Sequence, residues 1–456
     1  MIEISVEDVV DITGGTLECG GAADIKKFCT DTRDIVPGSY FIAIKGRNFD
    51  GNDFILDALE KGASGVITER KGALAVPAGK TVISVPDTRE AMASIASALR
   101  SRTGAVVVCI TGTNGKTTTK EILSHVLSSK YKVLKSRKSF NNIIGLSLTF
   151  FDLEEDHEVI VLETGTNHPG EIAELASIAR PHAAVITNIG DGHLEFFRDR
   201  QGVFLEKICL LDLLPKNGIS FLNKDDEFLS KVHECGFAVR SFGRDPGSDI
   251  HITAVERAAE GYSFLLNGEK YDLPLEGEHN VYNAAAAIGV AAYLGMTPDE
   301  IRSSLKDARL PEMRIEKVTV GDVVFINDSY NANPGSFGSA LNVLFDQRGA
   351  SRRGVVSGDM GELGVKTSEF HRKLGSRMAE RAVDFVVAVG VHASDVIEGA
   401  VSSGISRDRA IEARDHREAA EIVKKMVSKG TFVLLKGSRS ARMEEVLKCF
   451  TTFCTP

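Results

Sequence analysis

The sequence predicts an α/β protein of three domains. These are a small N-terminal α/β domain over 1–86, a central P-loop domain on a parallel sheet over 87–313, and a C-terminal Rossmann-like domain over 314–456. Three observations predict this. The chain has 456 residues, more than one hydrophobic core accommodates. From Ala105 onward, continuous apolar runs alternate with helical stretches, the pattern of a parallel sheet covered on both faces. One such run leads directly into Gly112-Thr113-Asn114-Gly115-Lys116-Thr117 and an amphipathic stretch, the context a phosphate-binding loop requires.

The elements follow in order. Up to Pro86, strand-like runs (Tyr40 to Ile44, Gly65 to Thr68, Val82 to Val85) are separated by Gly-rich turns. Asp87 to Arg100 reads as a helix, with Met92, Ile95, Ala96 and Leu99 on one face. Val106 to Ile110 is a strand buried on both faces, and Ile122, Leu123, Val126 and Leu127 mark the apolar stripe of the helix after it. Val159 to Leu162 and Ala183 to Ile189 are two more buried strands, Val203 to Leu214 is helical, and Asn283 to Leu294 is an Ala-rich helix before Pro311 breaks the chain. Beyond Arg314 the strands Val323 to Ile326, Gly354 to Val356, Phe385 to Val389 and Phe432 to Leu435 alternate with helical stretches, a second doubly wound sheet. In such sheets ligands bind beyond the carboxyl ends of the strands.

Composition narrows the partners. The net charge of -9 argues against a nucleic-acid or membrane-surface partner, since both favour basic patches. Phosphates must then be met by backbone N–H groups, a few local cations and metal ions. Seven cysteines (Cys19, Cys29, Cys109, Cys209, Cys235, Cys449 and Cys454) form no CxxC pair, which reads as reduced thiols. Met1 to Val10 carries Glu3, Glu7 and Asp8 and no basic n-region, so no signal peptide is expected. The longest small-apolar run, Ala284 to Leu294, is interrupted by Gly289 and is too short to span a bilayer. A cytoplasmic protein without membrane insertion is the expectation.

The phosphate loop is the strongest local signal. Glycines let backbone N–H groups curl around phosphate oxygens, and the helix N-terminus adds partial positive charge. Lys116 supplies a cation to the β- and γ-phosphates, and the Thr117 hydroxyl can ligate Mg²⁺. The loop is a shortened variant, because Ile110 stands where the general pattern has its first Gly. Glu163 and His193 follow neighbouring strands, so their loops share the rim of the P-loop and can help complete an octahedral Mg²⁺ shell. Lys207, by its position on a helical stretch, reads alone as a solvated helix lysine.

Together these residues resemble the Mur ligases, the ATP-dependent ligases that build the peptide stem of peptidoglycan precursors. The resemblance rests on Thr111 to Thr117, Asn141-Asn142 with Gly145, Glu163-Thr164-Gly165, His193, and His279-Asn280 with Asn283. It extends to Asp328-Ser329-Tyr330-Asn331-Ala332-Asn333-Pro334, Gly358-Asp359-Met360-Gly361-Glu362-Leu363-Gly364 and Lys436-Gly437-Ser438-Arg439. The C-terminal motifs look like those of the member that takes UDP-N-acetylmuramoyl-tripeptide and D-alanyl-D-alanine as its small-molecule substrates. Thr30-Asp31-Thr32-Arg33, with Pro37-Gly38 and Asp50-Gly51, resembles that member's UDP-sugar domain.

The resemblance implies roles. Thr111, Gly112, Thr113, Asn114, Gly115, Lys116, Thr117 and Thr118 would hold the ATP phosphates, Asn283 the adenine, Asp328 the ribose and Arg314 the γ-phosphate. Thr117, Glu163, His193 and Lys207 would serve Mg²⁺, with Lys207 at a position that is carboxylated in several relatives. Lys116, His193, Lys207 and Arg314 form the implied catalytic set. Thr30, Asp31, Thr32, Arg33, Asn142, Tyr330, Asn331 and Asn333 would meet substrates. Three positions depart from the family pattern: Met313 where many relatives have Gly, Cys209 where an acid commonly follows the special lysine, and Asn52 where His is frequent. The implied enzyme is a monomeric, ADP-forming amide ligase working through an acyl phosphate, its central and C-terminal domains rotating about Leu310 to Arg314. The alternatives are a sister amide ligase (a Mur ligase adding one amino acid, or a folylpolyglutamate synthase) and a nucleotide-driven switch or motor. A nicotinamide-dependent oxidoreductase is disfavoured, because no G-x-G-x-x-G follows any strand.

Overall fold

A computed structural model of the chain describes residues 2–20, 25–46, 49–72, 75–233 and 236–454. Met1 and Cys235, both considered above, lie outside them. The other six cysteines are free thiols. Among the described residues no helix is long and apolar enough to cross a membrane.

Three sheets organise the chain. The first joins β1 (Thr16–Cys19), β2 (Lys27–Cys29), β3 (Ser39–Ile42), β4 (Gly65–Thr68) and β5 (Thr81–Ser84) in the order β1-β5-β4-β3-β2. All its pairings are parallel except that of β1. Its helices are α1 (Val6–Thr13), α2 (Ile55–Glu60) and α3 (Thr88–Ser101). α3 starts where the Asp87 carboxylate accepts from the N–H of Arg89 and Glu90, the usual way an N-cap satisfies orphan donors. Met92, Ile95, Ala96 and Leu99 are fully buried on its inner face, in one continuous core with Ile83 of β5 and with Leu146 and Phe150 of the second unit.

The second sheet has nine strands: β6 (Val106–Thr111), β7 (Val133–Lys135), β8 (Val159–Glu163), β9 (Ala183–Ile186), β10 (Ile219–Asn223), β11 (Ala238–Gly243), β12 (Ile250–Arg257), β13 (Tyr262–Leu266) and β14 (Glu269–Leu273). Its order is β14-β13-β12-β11-β10-β9-β6-β8-β7. The strands are parallel from β7 to β12, and β12–β14 form an antiparallel extension. The helices are α4 (Lys116–Leu127), α5 (Ile143–Phe151), α6 (Glu171–Ala179), α7 (Leu194–Phe197), α8 (Arg200–Asp212), α9 (His279–Tyr293) and α10 (Pro298–Leu305). The expected strand Ala183 to Ile189 stops at Ile186. Beyond it, Thr187 and Asn188 turn to bond the phosphate loop.

The third sheet comprises β15 (Glu316–Val320), β16 (Val323–Asn327), β17 (Arg352–Ser357), β18 (Phe385–Val389), β19 (Ala410–Ala413) and β20 (Thr431–Lys436). Its order is β15-β16-β20-β17-β18-β19, antiparallel only at β15. It carries α11 (Pro334–Phe345), α12 (Thr367–Glu380), α13 (Ala393–Ser402), α14 (His416–Met426) and α15 (Glu444–Cys454). The carboxyl ends of β6, β8 and β9 face those of β16, β17 and β20 across a cleft. Loops from both sheets line it, as the switch-point rule for open α/β sheets requires.

Candidate active site

The cleft encloses about 320 Å³ and is lined by the second and third units. Its floor is the loop between β6 and α4. Gly112 has φ +146°, and a Cβ there would lie 1.9 Å from Thr187 Oγ1. Gly115 has φ +85°, and a Cβ there would lie 2.2 Å from Asn283 Oδ1. Both positions therefore exclude side chains on conformational and steric grounds. The backbone of Asn114 is clamped by Asn188, whose Oδ1 accepts from Asn114 N (2.9 Å) and whose Nδ2 donates to Asn114 O (3.0 Å). The Lys116 ammonium curls over the loop and donates to Gly112 O (2.8 Å) and Thr113 O (3.2 Å). Burial pulls its pKa below the usual lysine range; the Glu163 carboxylate opposes that shift and the Arg314 cation adds to it.

Beside Lys116, hard oxygen groups gather. Thr117 Oγ1 donates to Glu163 Oε2 (2.7 Å), and Asn141 Nδ2 donates to Glu163 Oε1 (2.8 Å). Arg314, from the third unit, donates to Thr117 Oγ1 (2.9 Å) and to Ser139 Oγ (3.4 Å). Its guanidinium lies 4.2 Å from the centre of the Tyr330 ring, a cation–π contact. Met313 (φ +60°) and Ile315 (φ +55°) flank Arg314 in the left-handed region, which is strained for a β-branched residue. Hydrogen bonds hold them there: Met313 N to Glu316 Oε2, Tyr330 N to Met313 O, and Ile315 N to Asp328 Oδ1.

His193 also takes a left-handed backbone, φ +57°, and its Nδ1 is hydrogen-bonded to the Glu362 carboxylate of the third unit. That bond holds the Glu362 carboxyl below its ordinary range. Asn333 Nδ2 donates to Asn114 Oδ1 (2.8 Å). The second carboxylate oxygen of Asp328 is ion-paired with the buried Lys436, which also donates to Asn331 O (2.9 Å). Asn283 Nδ2 donates to Asn280 Oδ1 (2.8 Å), so its side chain is already oriented toward the loop.

Thr113 to Thr118, Glu163, His193, Asn283, Arg314, Asp328, Tyr330, Asn331 and Asn333 all line this cleft. Several other expected residues do not. Thr111 is buried behind the loop, with no hydrogen-bond partner for its hydroxyl among the described residues. Asn142 caps α5 by accepting from Gly145 N (2.9 Å), and its neighbour Asn141 reaches the cleft instead. Thr30, Asp31, Thr32 and Arg33 lie in the first unit, away from the cleft. There Asp31 pairs with Arg33, whose side chain and backbone N–H hold its carboxyl at about 2. Among the departures, Asn52 is buried between Asp50 Oδ1 and Thr68 Oγ1, and the Cys209 thiol donates to Leu205 O within α8.

Lys207 corrects the reading as a solvated helix lysine. It is 1 % exposed, and its ammonium finds no hydrogen-bond acceptor among the described residues. Burial and the nearby Lys116 cation push its pKa well down. The adjacent Glu206 spends its carboxylate on the start of α6, accepting from Gly170 N (2.7 Å) and Ile172 N (2.9 Å). Sequence reasoning missed Ser139 and Glu362 as site residues. Glu362 was visible only as part of the Gly358 to Gly364 motif, and Ser139 gave no signal.

Residues 110–291 match the family model of the Mur ligase middle domain. Residues 313–439 match that of the Mur ligase glutamate ligase domain, and residues 24–100 that of the Mur ligase family catalytic domain. The UDP-N-acetylmuramoyl-tripeptide–D-alanyl-D-alanine ligase of Bacillus subtilis is 34% identical over 98% of both chains. Its counterpart in Escherichia coli is 32% identical over 98% of both. The crystal structure of MurF from Acinetobacter baumannii superposes with a TM-score of 0.88 at 31% identity, covering 99% of each chain. That of the Thermotoga maritima MurF ligase in complex with ADP gives 0.82 at 29%, covering 94% of this chain and 97% of the other.

Proposed function

The chain belongs to the Mur ligase family, and from that premise we propose that it joins D-alanyl-D-alanine to UDP-N-acetylmuramoyl-tripeptide at the expense of ATP. The curated relatives that match nearly end to end carry that name. The likeness to a folylpolyglutamate synthase, at 16% identity, is one of fold. The observation that carries the proposal is Arg314 reaching from the third unit to the Thr117 hydroxyl beside Lys116. This assembles a γ-phosphate site from two sheets.

The chemistry follows from the residues. A carboxylate is a poor electrophile. Its oxygen attacks the γ-phosphorus of ATP, the bond to the β-phosphate oxygen breaks, and an acyl phosphate and ADP result. Such a transfer needs positioning and charge neutralisation more than covalent help. Lys116 and the loop N–H groups hold the β- and γ-phosphates, and Arg314 meets the charge on the transferred group. Thr117 and Glu163 present hard oxygen donors at one spot, a set that suits Mg²⁺, with His193 at the rim. Mg²⁺ bound there supplies Lewis-acid neutralisation of phosphate charge. The dipeptide amine then attacks the acyl carbon, loses a proton, and expels inorganic phosphate. Water would hydrolyse the acyl phosphate, and the docked third unit excludes it.

Asn283 is assigned to adenine, Asp328 to ribose, and Tyr330, Asn331 and Asn333 to the dipeptide side. Thr30 to Arg33 are assigned to the UDP-sugar. Lys207 is assigned as carboxylated: only the neutral amine attacks CO₂, and burial favours the neutral form. The enzyme is a cytoplasmic monomer on this reading. Rotation of the units about Leu310 to Arg314 predicts compaction on binding nucleotide and UDP-substrate, which small-angle scattering measures. Mass spectrometry of products from ATP, UDP-muramoyl-tripeptide and D-alanyl-D-alanine tests the reaction. Turnover with folate and glutamate, or with a single amino acid instead of the dipeptide, would replace it by a sister activity.

A further inference from the structure

The loop after β17 carries a glutamate that none of the roles above uses. It is pinned on all sides. The Asp359 carboxylate accepts from Val391 N and His392 N (both 2.9 Å), and Asp359 O accepts from Ser438 N (2.8 Å). Met360 N donates to Nε2 of the buried His371 (2.9 Å), and Met360 and Leu363 are buried in the third unit's core. Between them, Glu362 is left with φ +60°. A non-glycine residue in that region is strained and persists where its surroundings over-determine it.

Glu362 faces a second left-handed residue, His193, across the boundary between units. Two bonds join them. The Glu362 carboxylate meets His193 Nδ1, and Glu362 O accepts from Glu195 N (3.1 Å). Gly364, with φ +61°, lets the strands of the contact approach: a Cβ there would lie 3.2 Å from Glu195 Cα. An ionised carboxylate can only accept, so the ring donates its Nδ1–H, and the Nε2 lone pair is left for the cleft. A histidine that offers one nitrogen to a ligand while donating the other to a carboxylate is held in one tautomer and orientation by it.

We propose that Glu362 is a positioning residue for the ligase reaction, fixing the tautomer and orientation of His193 from the third unit. His193 is then correctly presented only when the second and third units are docked. This rests on the proposed ligase reading for its catalytic consequence, but not for the contact itself.

The full-length protein tests both parts. Glycine accepts the φ of residue 362 without strain, so Glu362→Gly removes the carboxylate with little risk to the loop, and Glu362→Gln restores an oxygen acceptor. In ¹⁵N-histidine-labelled protein, the His193 signal is assigned by its loss in His193→Gln. It should report a protonated Nδ1 in the native chain and in Glu362→Gln, and a protonated Nε2 in Glu362→Gly. The kcat for phosphate release should fall about 10- to 100-fold in Glu362→Gly. The KM for ATP should change by less than about threefold, and Glu362→Gln should recover most of the loss. An unchanged tautomer in Glu362→Gly, or a kcat within about twofold of native, overturns the assignment. Were the native protein to turn over none of the three substrates, the ligase reading would fail instead, and the tautomer shift would still decide the role of Glu362.

Discussion

Arg314→Lys keeps the charge and removes the planar fork, which makes it the sharpest probe of the split phosphate site. The guanidinium has two engagements that an ammonium cannot reproduce together: the hydrogen bond to Thr117 Oγ1 at 2.9 Å and the stack on Tyr330 at 4.2 Å. A hydrogen bond involving a charged group contributes about 1.5–3 kcal/mol. A cation–π contact contributes about 0.5–2 kcal/mol. Where both contacts act to hold Arg314 for the transferred group in the transition state, losing both costs about 2–5 kcal/mol, or roughly 30-fold or more in kcat/KM. Tyr330→Leu removes the stack alone and should cost about 2- to 30-fold. The contact Tyr330 makes in the structure is with Arg314, and a dipeptide contact is masked at saturation, so Tyr330→Leu added to Arg314→Ala should cost little more in kcat than Arg314→Ala by itself. Steady-state phosphate release with saturating UDP-substrate and dipeptide measures the four variants against the native protein. Additive losses in the double variant, or an Arg314→Lys enzyme indistinguishable from native, would refute the reasoning.

Lys116→Ala should abolish turnover and leave the thermal unfolding midpoint nearly unchanged, because among the described residues the ammonium's hydrogen bonds go only to its own loop; a large drop in the midpoint would make it a structural lysine. Lys207→Met should leave the protein about as stable as native, since a buried amine with no hydrogen-bond acceptor among the described residues is replaced by an apolar chain of similar volume, while turnover collapses. Lys207→Ala should regain part of its activity with millimolar acetate or formate, and indifference of turnover to either substitution removes the lysine from the mechanism. The Asp31–Arg33 pair gives a pH dependence. The Asp31 pKa is depressed to about 2, so its contribution is complete above the ordinary carboxylate range and is lost as pH falls through about 2. Because Arg33 is largely exposed, solvent screens the pair and the contribution is small, so Asp31→Asn should flatten the acid limb of an unfolding curve only slightly.

What the sequence disclosed was local. The phosphate loop was legible because a strand, two glycines with positive φ and a lysine at a helix start occupy consecutive positions. The parallel strands were legible because burial on both faces leaves unbroken apolar runs, as in Val106 to Ile110. The antiparallel extension β12–β14 escaped, since one exposed face dilutes its strands with charge: Glu256 and Arg257 in β12, and Glu269, Lys270 and Asp272 in β14. Lys207 escaped for the opposite reason. On α8, Leu205 is 55 % exposed while Lys207 and Glu206 are buried, so the helix inverts the pattern that periodicity reads. Asn141 and Asn142 show the resolution limit: adjacent identical residues, of which one caps a helix and the other orients Glu163.

Three of the contacts that close the site are long in sequence and paired across one boundary. Thr117 meets Arg314, Asn114 meets Asn333, and His193 meets Glu362. In each pair the first residue follows a strand of the second sheet and the other belongs to the third unit. Neither half is a complete site: the second unit has the loop and the hard oxygen donors but no arginine for the transferred group, and the third has that arginine but no phosphate cradle. Chemistry through a hydrolysable acyl phosphate gains from this division, because the groups that complete the site arrive with the surface that shuts out water. The strain at Met313, Ile315, His193 and Glu362 sits on the same boundary. Other left-handed residues, Ala254 and Ala382 among them, lie away from the boundary, but at these four positions the backbone strain ties the geometry of the reacting groups to docking.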